Sequence, residues 1–168
     1  MSKVCVVTGG SSGIGLATTK AMREAGYTVY EFSRRGEGAE GVKHIACDVT
    51  DEAAVKRAVD AVMQAEGRID ILINCAGYGI SGAVEFTPLE DAKQQLNVNF
   101  FGMVNVCKAV IPVMRRQASG RIVNLSSVAG PIPIPFQTYY SASKAAINSY
   151  TMATANEIKP FGITMCAV

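Results

Sequence analysis

The sequence predicts an α/β fold: a doubly wound parallel β-sheet with helices on both faces. Two observations carry this. Short apolar runs alternate with longer helical patterns along the whole chain, and strand–helix–strand order implies right-handed crossovers between parallel strands. The run "RIDILIN" at 68–74 is also nearly continuous in apolar residues, as expected of a strand covered on both faces. With 168 residues, 49% of them hydrophobic and 18% charged, residues 1–168 are expected to form one domain with a sizeable core.

The elements follow in order. "KVCVV" at 3–7 is a β-branched strand that ends in glycine-rich "TGGSSGIG". "GLATTKAMREAG" reads as a helix ending on Gly26. "YTVYEF" at 27–32 is the second strand, "SRRGEGAEG" at 33–41 a polar loop, and "VKHIAC" at 42–47 the third strand. The next helix takes Thr50 as N-cap and carries acids in its first turn. Val55, Val59 and Val62 share one of its faces. The 68–74 run is the fourth strand.

Thr87-Pro88-Leu89-Glu90 has capping-box spacing with proline at N1. A long helical segment is expected from there to Gln117, kinked at Pro112. "GRIVNLSS" at 120–127 is a fifth strand and "VAGPIPIPF" at 128–136 a proline-rich loop. "QTYYSASKAAINSYTMATANEIKP" at 137–160 is a helix, and "GITMCAV" at 162–168 begins a sixth strand.

Composition narrows the function classes. The net charge is +2 with no basic block, which argues against a nucleic-acid or anionic-membrane partner. The apolar run in "MSKVCVVTGG" is too short for a signal peptide or membrane span. Cysteines at 5, 47, 75, 107 and 166 form no CxxC pair, and His44 is the sole histidine. No metal site or disulfide framework is expected, and buried thiols suit a reducing cytoplasm.

The turn after the first strand carries the first chemical motif. Its glycines stand at 9, 13 and 15, with Gly10 additional. The spacing is G-x-x-x-G-x-G, not G-x-G-x-x-G, but the physics is similar. Glycines allow a tight turn and let backbone N–H groups approach a pyrophosphate at a helix N-terminus. Cofactor choice is then read at the end of the second strand, where an acid would bind a ribose 2′-OH and arginine a 2′-phosphate. Ser33, Arg34 and Arg35 cluster there. A guanidinium suits phosphate, so NADP(H) is expected over NAD(H). Glu31, inside the strand, could face either way.

Together these motifs resemble the classical short-chain dehydrogenase/reductase family, whose fold is of the Rossmann type, and the likeness covers the whole chain. Thr8-Gly9-Gly10-Ser11-Ser12-Gly13-Ile14-Gly15 matches the family's cofactor loop. Asp48 in "CDVT", with Val49 beside it, matches the acid near the adenine. "NCAG", containing Asn74, Ala76 and Gly77, matches the family's "NNAG", with Cys75 replacing the second asparagine. That substitution puts one sheet-stabilising hydrogen bond in question. Asn99 in "NVNFFG" matches the catalytic asparagine, Ser127 the catalytic serine, and Tyr140 and Lys144 the pair of Y-x-x-x-K. The position that carries the acid of NAD-dependent members falls at Ser33, and Arg34 follows. The resemblance thus also points to NADP(H).

The chemistry explains the residue types. Reducing a carbonyl needs a hydride at carbon and a proton at oxygen, and NADPH supplies the hydride. A free tyrosine, with pKa about 10, holds its proton too tightly for ready exchange near neutrality. A lysine one helical turn along the same face favours the phenolate. The resemblance implies that Lys144 also holds the nicotinamide ribose. It further implies that Ser127 bonds the substrate oxygen and that Asn99 anchors a water joining Lys144 to solvent.

Neighbouring candidates are weaker. Strand alternation should point Ser126 away from Ser127. Tyr139 lies four residues before Ser143, not before a lysine, so it contacts substrate or packs. Tyr150, Met103, Met114 and His44 are expected to be structural. "GYGISG" at 77–82 and "PIPIPFQ" at 131–137 should flank the nicotinamide end of the site. Both are mainly apolar, which suggests an apolar ketone, aldehyde or alcohol.

Family members generally continue past the sixth strand into a substrate lid and a seventh strand, which this sequence lacks. The exposed sheet edge favours association, so a homo-oligomer is expected. The missing region also keeps a second reading open: a catalytically impaired nucleotide-binding or regulatory module.

Overall fold

The computed structural model describes residues 2–36 and 38–168. Met1, in the N-terminal segment, and Glu37, in the loop expected at 33–41, lie outside the described residues. Six strands form one sheet: β1 (Val4–Thr8), β2 (Thr28–Ser33), β3 (Lys43–Ala46), β4 (Ile71–Asn74), β5 (Gly120–Asn124) and β6 (Ile163–Ala167). Every pairing is parallel, in the order β3-β2-β1-β4-β5-β6. The order reverses between β1 and β4. In such sheets the crevice beyond the C-terminal strand ends at the reversal is where ligands bind.

Both faces of the sheet are covered, which is why β1 is buried at every position and apolar from Val4 to Val7. Val4 and Val6 pack into one core with Phe32, Leu72 and Ile122, beneath α2 (Glu52–Glu66) and α4 (Met103–Gln117). Cys5 and Val7 face the opposite way and pack with Val29 and Val42 beside α1 (Gly13–Glu24). A period of two with both sets buried is the signature of a doubly covered strand. Val55, Val59 and Val62 of α2 are all buried in the first core, as their spacing predicts.

Two helix starts differ from expectation. The N-cap of α2 is Asp51, not Thr50: the Asp51 carboxylate accepts from the N–H groups of Ala53 and Ala54 at 2.9 and 3.0 Å. Thr50 is taken by a competing local partner, since its N–H and hydroxyl both donate to Asp48 Oδ1 at 2.9 and 2.7 Å. The capping box at 87–90 does not form either. Thr87 donates its hydroxyl to Ala83 O, Pro88 occupies the N-cap position, and α3 (Leu89–Leu96) starts one residue later than expected.

The long segment does run to Gln117, but not as one regular helix. A π-helical turn, Asn97–Gly102, joins α3 to α4. Pro112 sits inside α4. By length and composition this helical run could cross a membrane. In the fold, Val106, Cys107, Val110 and Met114 bury it in the domain core. The last helix, α5 (Thr138–Ile158), leads through a 3₁₀ turn into β6.

Candidate active site

The strand ends at the topological reversal open into a cleft of about 1010 Å³. Gly9, Ser11, Ser12, Gly13, Ile14 and Gly15 line one side of it. Glycine is required here for two reasons. Gly13 has φ +52 and Gly9 φ +68, both in the left-handed region. A Cβ on Gly9 would lie 2.9 Å from Ala76 Cα, and one on Gly15 would run into the Gly9 carbonyl. The turn therefore folds tightly against both the helix it opens and the loop after β4.

The substitution of Cys75 leaves that junction intact. Thr8 Oγ1 accepts from the backbone N–H groups of Cys75 and Ala76, each at 3.1 Å. One strand over, Asn74 donates to Asn124 Oδ1 at 2.9 Å, and Asn124 donates to Thr151 Oγ1 at 2.9 Å. Backbone groups and this buried chain hold β1, β4, β5 and α5 in place without a second asparagine.

The turn fits a dinucleotide. Ser12, the N-cap of α1, makes no side-chain cap bond. The first N–H groups of α1 are therefore left for an anion. The far end of the cleft is lined by Ser33, Arg34, Arg35, Asp48 and Val49. Burial pushes the Asp48 carboxyl upward, but the two Thr50 hydrogen bonds and the Arg34 charge outweigh it and leave its pKa below the ordinary carboxylate value. Asp48 is thus an anionic acceptor under the influence of the Arg34 charge.

Ser127, Tyr140, Lys144, Ala76 and Gly77 line the opposite end of the same cleft. Lys144, one turn after Tyr140 on α5, has its Nζ 5.5 Å from the Tyr140 ring centroid. That Nζ donates to Leu125 O at 2.7 Å. Lys144 is 6% exposed. Burial lowers its pKa below the usual lysine value, against an opposing contribution from Cys75. Ser127 Oγ accepts from Ala129 N at 3.1 Å. Among the described residues, neither the Ser127 nor the Tyr140 hydroxyl donates to a protein acceptor. Both residues line the open cleft.

Asn99 stands apart from the cleft lining. It is 1% exposed and lies on the π-helical turn. Its Oδ1 accepts from Tyr78 N at 2.9 Å, while Nδ2 donates to Tyr78 O at 2.9 Å and to Ser143 Oγ at 3.1 Å. Ser143 in turn donates to Tyr140 O at 2.7 Å. These bonds clamp the 77–79 loop to α5. Gly79 of that loop faces the Tyr140 ring, and a Cβ there would lie 3.5 Å from Cδ2.

Other positions resolve as follows. Ser126 was expected to point away from Ser127; both residues border the cleft, and β5 ends at Asn124, so strand alternation reaches neither serine. The Ser126 hydroxyl donates to Lys144 O at 3.4 Å. Tyr78, Gly79, Ile134 and Gln137 line the cleft, as the flanking runs predict. Tyr139 is not among the lining residues. Tyr150 stacks edge-on against Phe100, and Met103 and Met114 are buried. His44 pairs with buried Glu31, away from Tyr140. Sequence reasoning missed the Leu125 carbonyl and the Tyr78 backbone as partners of Lys144 and Asn99. Backbone acceptors leave no mark on residue type.

Comparison with known proteins agrees with this geometry. A family model described as short chain dehydrogenase matches residues 3–168. The chain is 44% identical over 167 residues to a 3-ketodihydrosphingosine reductase of Bacteroides thetaiotaomicron, covering 99% of this chain and 62% of that protein. It is 38% identical to the 3-oxoacyl-(acyl-carrier-protein) reductase FabG of Thermotoga maritima, covering 99% and 72% respectively. Among solved structures, NAD+-bound xylitol dehydrogenase superposes with TM-score 0.94 at 37% identity, covering 98% of this chain and 68% of that one. ElxO with NADP bound superposes with TM-score 0.95 at 28% identity, covering 99% and 72%.

Proposed function

The chain belongs to the short chain dehydrogenase family of oxidoreductases, and from that premise we propose that it interconverts a ketone or aldehyde with an alcohol, using NADP(H) in preference to NAD(H). The observation that carries the reading is the shared cleft. Tyr140, Lys144 and Ser127 line one end of the space whose other end is the glycine turn and the Ser33–Arg34–Arg35 cluster. Bound NADPH would supply a hydride to the carbonyl carbon. Tyr140 would donate its phenolic proton to the carbonyl oxygen, and in the reverse direction take it back. Lys144, held by Leu125 O, would stabilise the phenolate that remains. Its depressed affinity for its own proton would ease re-protonation through the cleft. Ser127 would donate to the same oxygen as negative charge develops there. Asn99 would act at one remove, by holding the 77–79 loop beside Tyr140.

The NADP(H) preference is supported by Arg34 and Arg35, both exposed at the cleft, and by Asp48 being already engaged by Thr50. The relatives include proteins with either cofactor bound, so binding must decide. We propose an apolar ketone as substrate. Ile132 and Phe136 stand exposed beside the cleft residue Ile134, and two relatives are named for 3-keto and 3-oxoacyl substrates. An oligomeric, cytoplasmic enzyme is proposed, to be checked by sedimentation. The deciding experiment follows NADPH consumption with a panel of apolar ketones. Wild type should turn over while Tyr140→Phe binds NADPH normally but is inert. Equal inertness of both, with NADPH bound, would leave a nucleotide-binding module.

A further inference from the structure

Gln95 is fully buried on α3 and takes no part in the hydride or proton step. The helix register calls for an apolar side chain there. Ala92, Gln95 and Asn99 are buried on the inward face, while Gln94 beside them is exposed. An amide brings two N–H donors and an acceptor oxygen to that position. Gln95 uses little of this. Its Nε2 donates once, to Tyr78 O at 3.1 Å. Its Oε1 is buried and finds no hydrogen-bond partner among the described residues. The carbonyl it serves is already bonded, since Asn99 Nδ2 donates to Tyr78 O at 2.9 Å. As a stabiliser the amide is therefore a poor choice. It adds one bond to a satisfied carbonyl and leaves an oxygen buried and unmatched, which costs more than such a bond returns.

What the amide does reach is the loop that backs the reacting phenol. Tyr78 and Gly79 line the cleft, and Gly79 faces the Tyr140 ring. Asn99 holds Tyr78 at both its N–H and its carbonyl. Two bonds to one side chain leave the next peptide free to rock about the line between them. A second donor on the same carbonyl, from one helical turn away, opposes that motion. A carbonyl oxygen has two lone pairs, and the amides at 95 and 99 approach it from one helix face.

We propose that Gln95 is a positioning residue for Tyr140: with Asn99 it fixes the Tyr78–Gly79 peptide, the wall against which the ring sits when its hydroxyl gives up the proton. This rests on the reading that Tyr140 is the acid of a ketone reduction. Its consequence is that activity and stability part company at this position. An apolar side chain of the same length would suit the fold and harm the reaction.

The test sets turnover against stability. Methionine is close to glutamine in length and removes both the donor and the orphaned oxygen. Gln95→Met should melt at or above the wild-type temperature and bind NADPH as wild type does. Its kcat for ketone reduction should fall about tenfold, the upper range for one neutral hydrogen bond. Gln95→Glu keeps the shape. Burial favours its neutral form, whose O–H donates to Tyr78 O, whereas the ionised form has no donor. Its kcat relative to wild type should therefore be near parity at acid pH and fall as pH rises. A Gln95→Met kcat within about twofold of wild type, below the smallest value expected of a hydrogen bond, would overturn the proposal. So would a lower melting temperature with weaker NADPH binding, which would mean a merely structural role. A Gln95→Glu ratio that stays flat across pH would overturn it too. Should Gln95→Met fail to fold, the pH profile of Gln95→Glu alone decides. Failure of the underlying reading looks different: wild type would reduce no ketone. Hydrogen exchange of the Tyr78 amide, followed by NMR, then decides instead. Faster exchange in Gln95→Met supports the positioning role, and an unchanged rate overturns it.

Discussion

Truncating Asn99 to alanine tests whether the π-helical turn is part of the site or only part of the helix. The substitution removes three hydrogen bonds: one from Tyr78 N, one to Tyr78 O and one to Ser143 Oγ. Tyr78 O keeps a second donor, Gln95 Nε2 at 3.1 Å, and Ser143 keeps its own bond to Tyr140 O. Tyr78 N–H keeps nothing. With net values of about 1 kcal/mol per bond and a larger share for the orphaned donor, the loss is about 3 kcal/mol. For a chain of this size that is a fall of about 6–12 °C in Tm. Because Gly79 rests against the Tyr140 ring, turnover should fall more than NADPH affinity does. Asn99→Asp separates shape from polarity. It keeps an acceptor for Tyr78 N but sets a second carboxylate oxygen against Tyr78 O, so it should be no more stable than alanine at neutral pH. Differential scanning fluorimetry with and without NADPH reads both effects. A Tm for Asn99→Ala within about 1 °C of wild type, or Asn99→Asp as stable as wild type, would refute the clamp.

Four further outcomes are expected. Tyr140→Phe should lower kcat for ketone reduction by at least about a hundredfold with NADPH affinity retained, since general acid catalysis contributes at least that much; single-turnover kinetics checks this. Arg34→Ala should weaken NADPH by about tenfold and NADH little, and the difference should shrink at high salt as charge contacts are screened. Gly15→Ala would drive a Cβ into the Gly9 carbonyl, so calorimetry should find dinucleotide binding lost and Tm lowered, consistent with about 1–3 kcal/mol of overpacking. Asp70 carries the pH prediction. Burial pushes its carboxyl up, but hydrogen bonds from Arg68 and Val4 N–H, with the charges of Arg68 and Lys3, bring its pKa below the ordinary value. Its folded pKa is depressed, so its contribution is fully present above about pH 4 and is lost as pH falls through the folded value. Asp70→Asn should therefore lower Tm at neutral pH and flatten the acid limb of the stability profile.

Much of the fold is legible in the sequence because the strands at the centre of the sheet are covered on both faces, β1 being buried at every position. Continuous apolar runs such as 71–73 report that burial directly, and the alternation with helices forces parallel crossovers. The glycine turn is equally readable, since Gly9 and Gly13 need φ values that other residues resist and Gly15 needs space that no side chain leaves. Helix starts are less readable. Thr50 and Asp51 are both good caps, and only the competing bond to Asp48 excludes Thr50.

The sequence by itself determined the order of strands and helices, the tight glycine turn after β1, and the face shared by Tyr140 and Lys144. Each depends on local periodicity or on backbone freedom, which residue type encodes. Only the tertiary structure decided which groups those side chains meet. Lys144 finds a backbone carbonyl from the β5 end, Asn99 spends its amide on the Tyr78 peptide, and Ser126 gives its hydroxyl to the Lys144 carbonyl on α5. Glu31 shows the difference most plainly. Along β2 it could face either way. Pairing with β3 sets it opposite His44, beneath Gly10 and behind Ser33. Those neighbours come from separate stretches of chain, and no spacing within the sequence records their meeting.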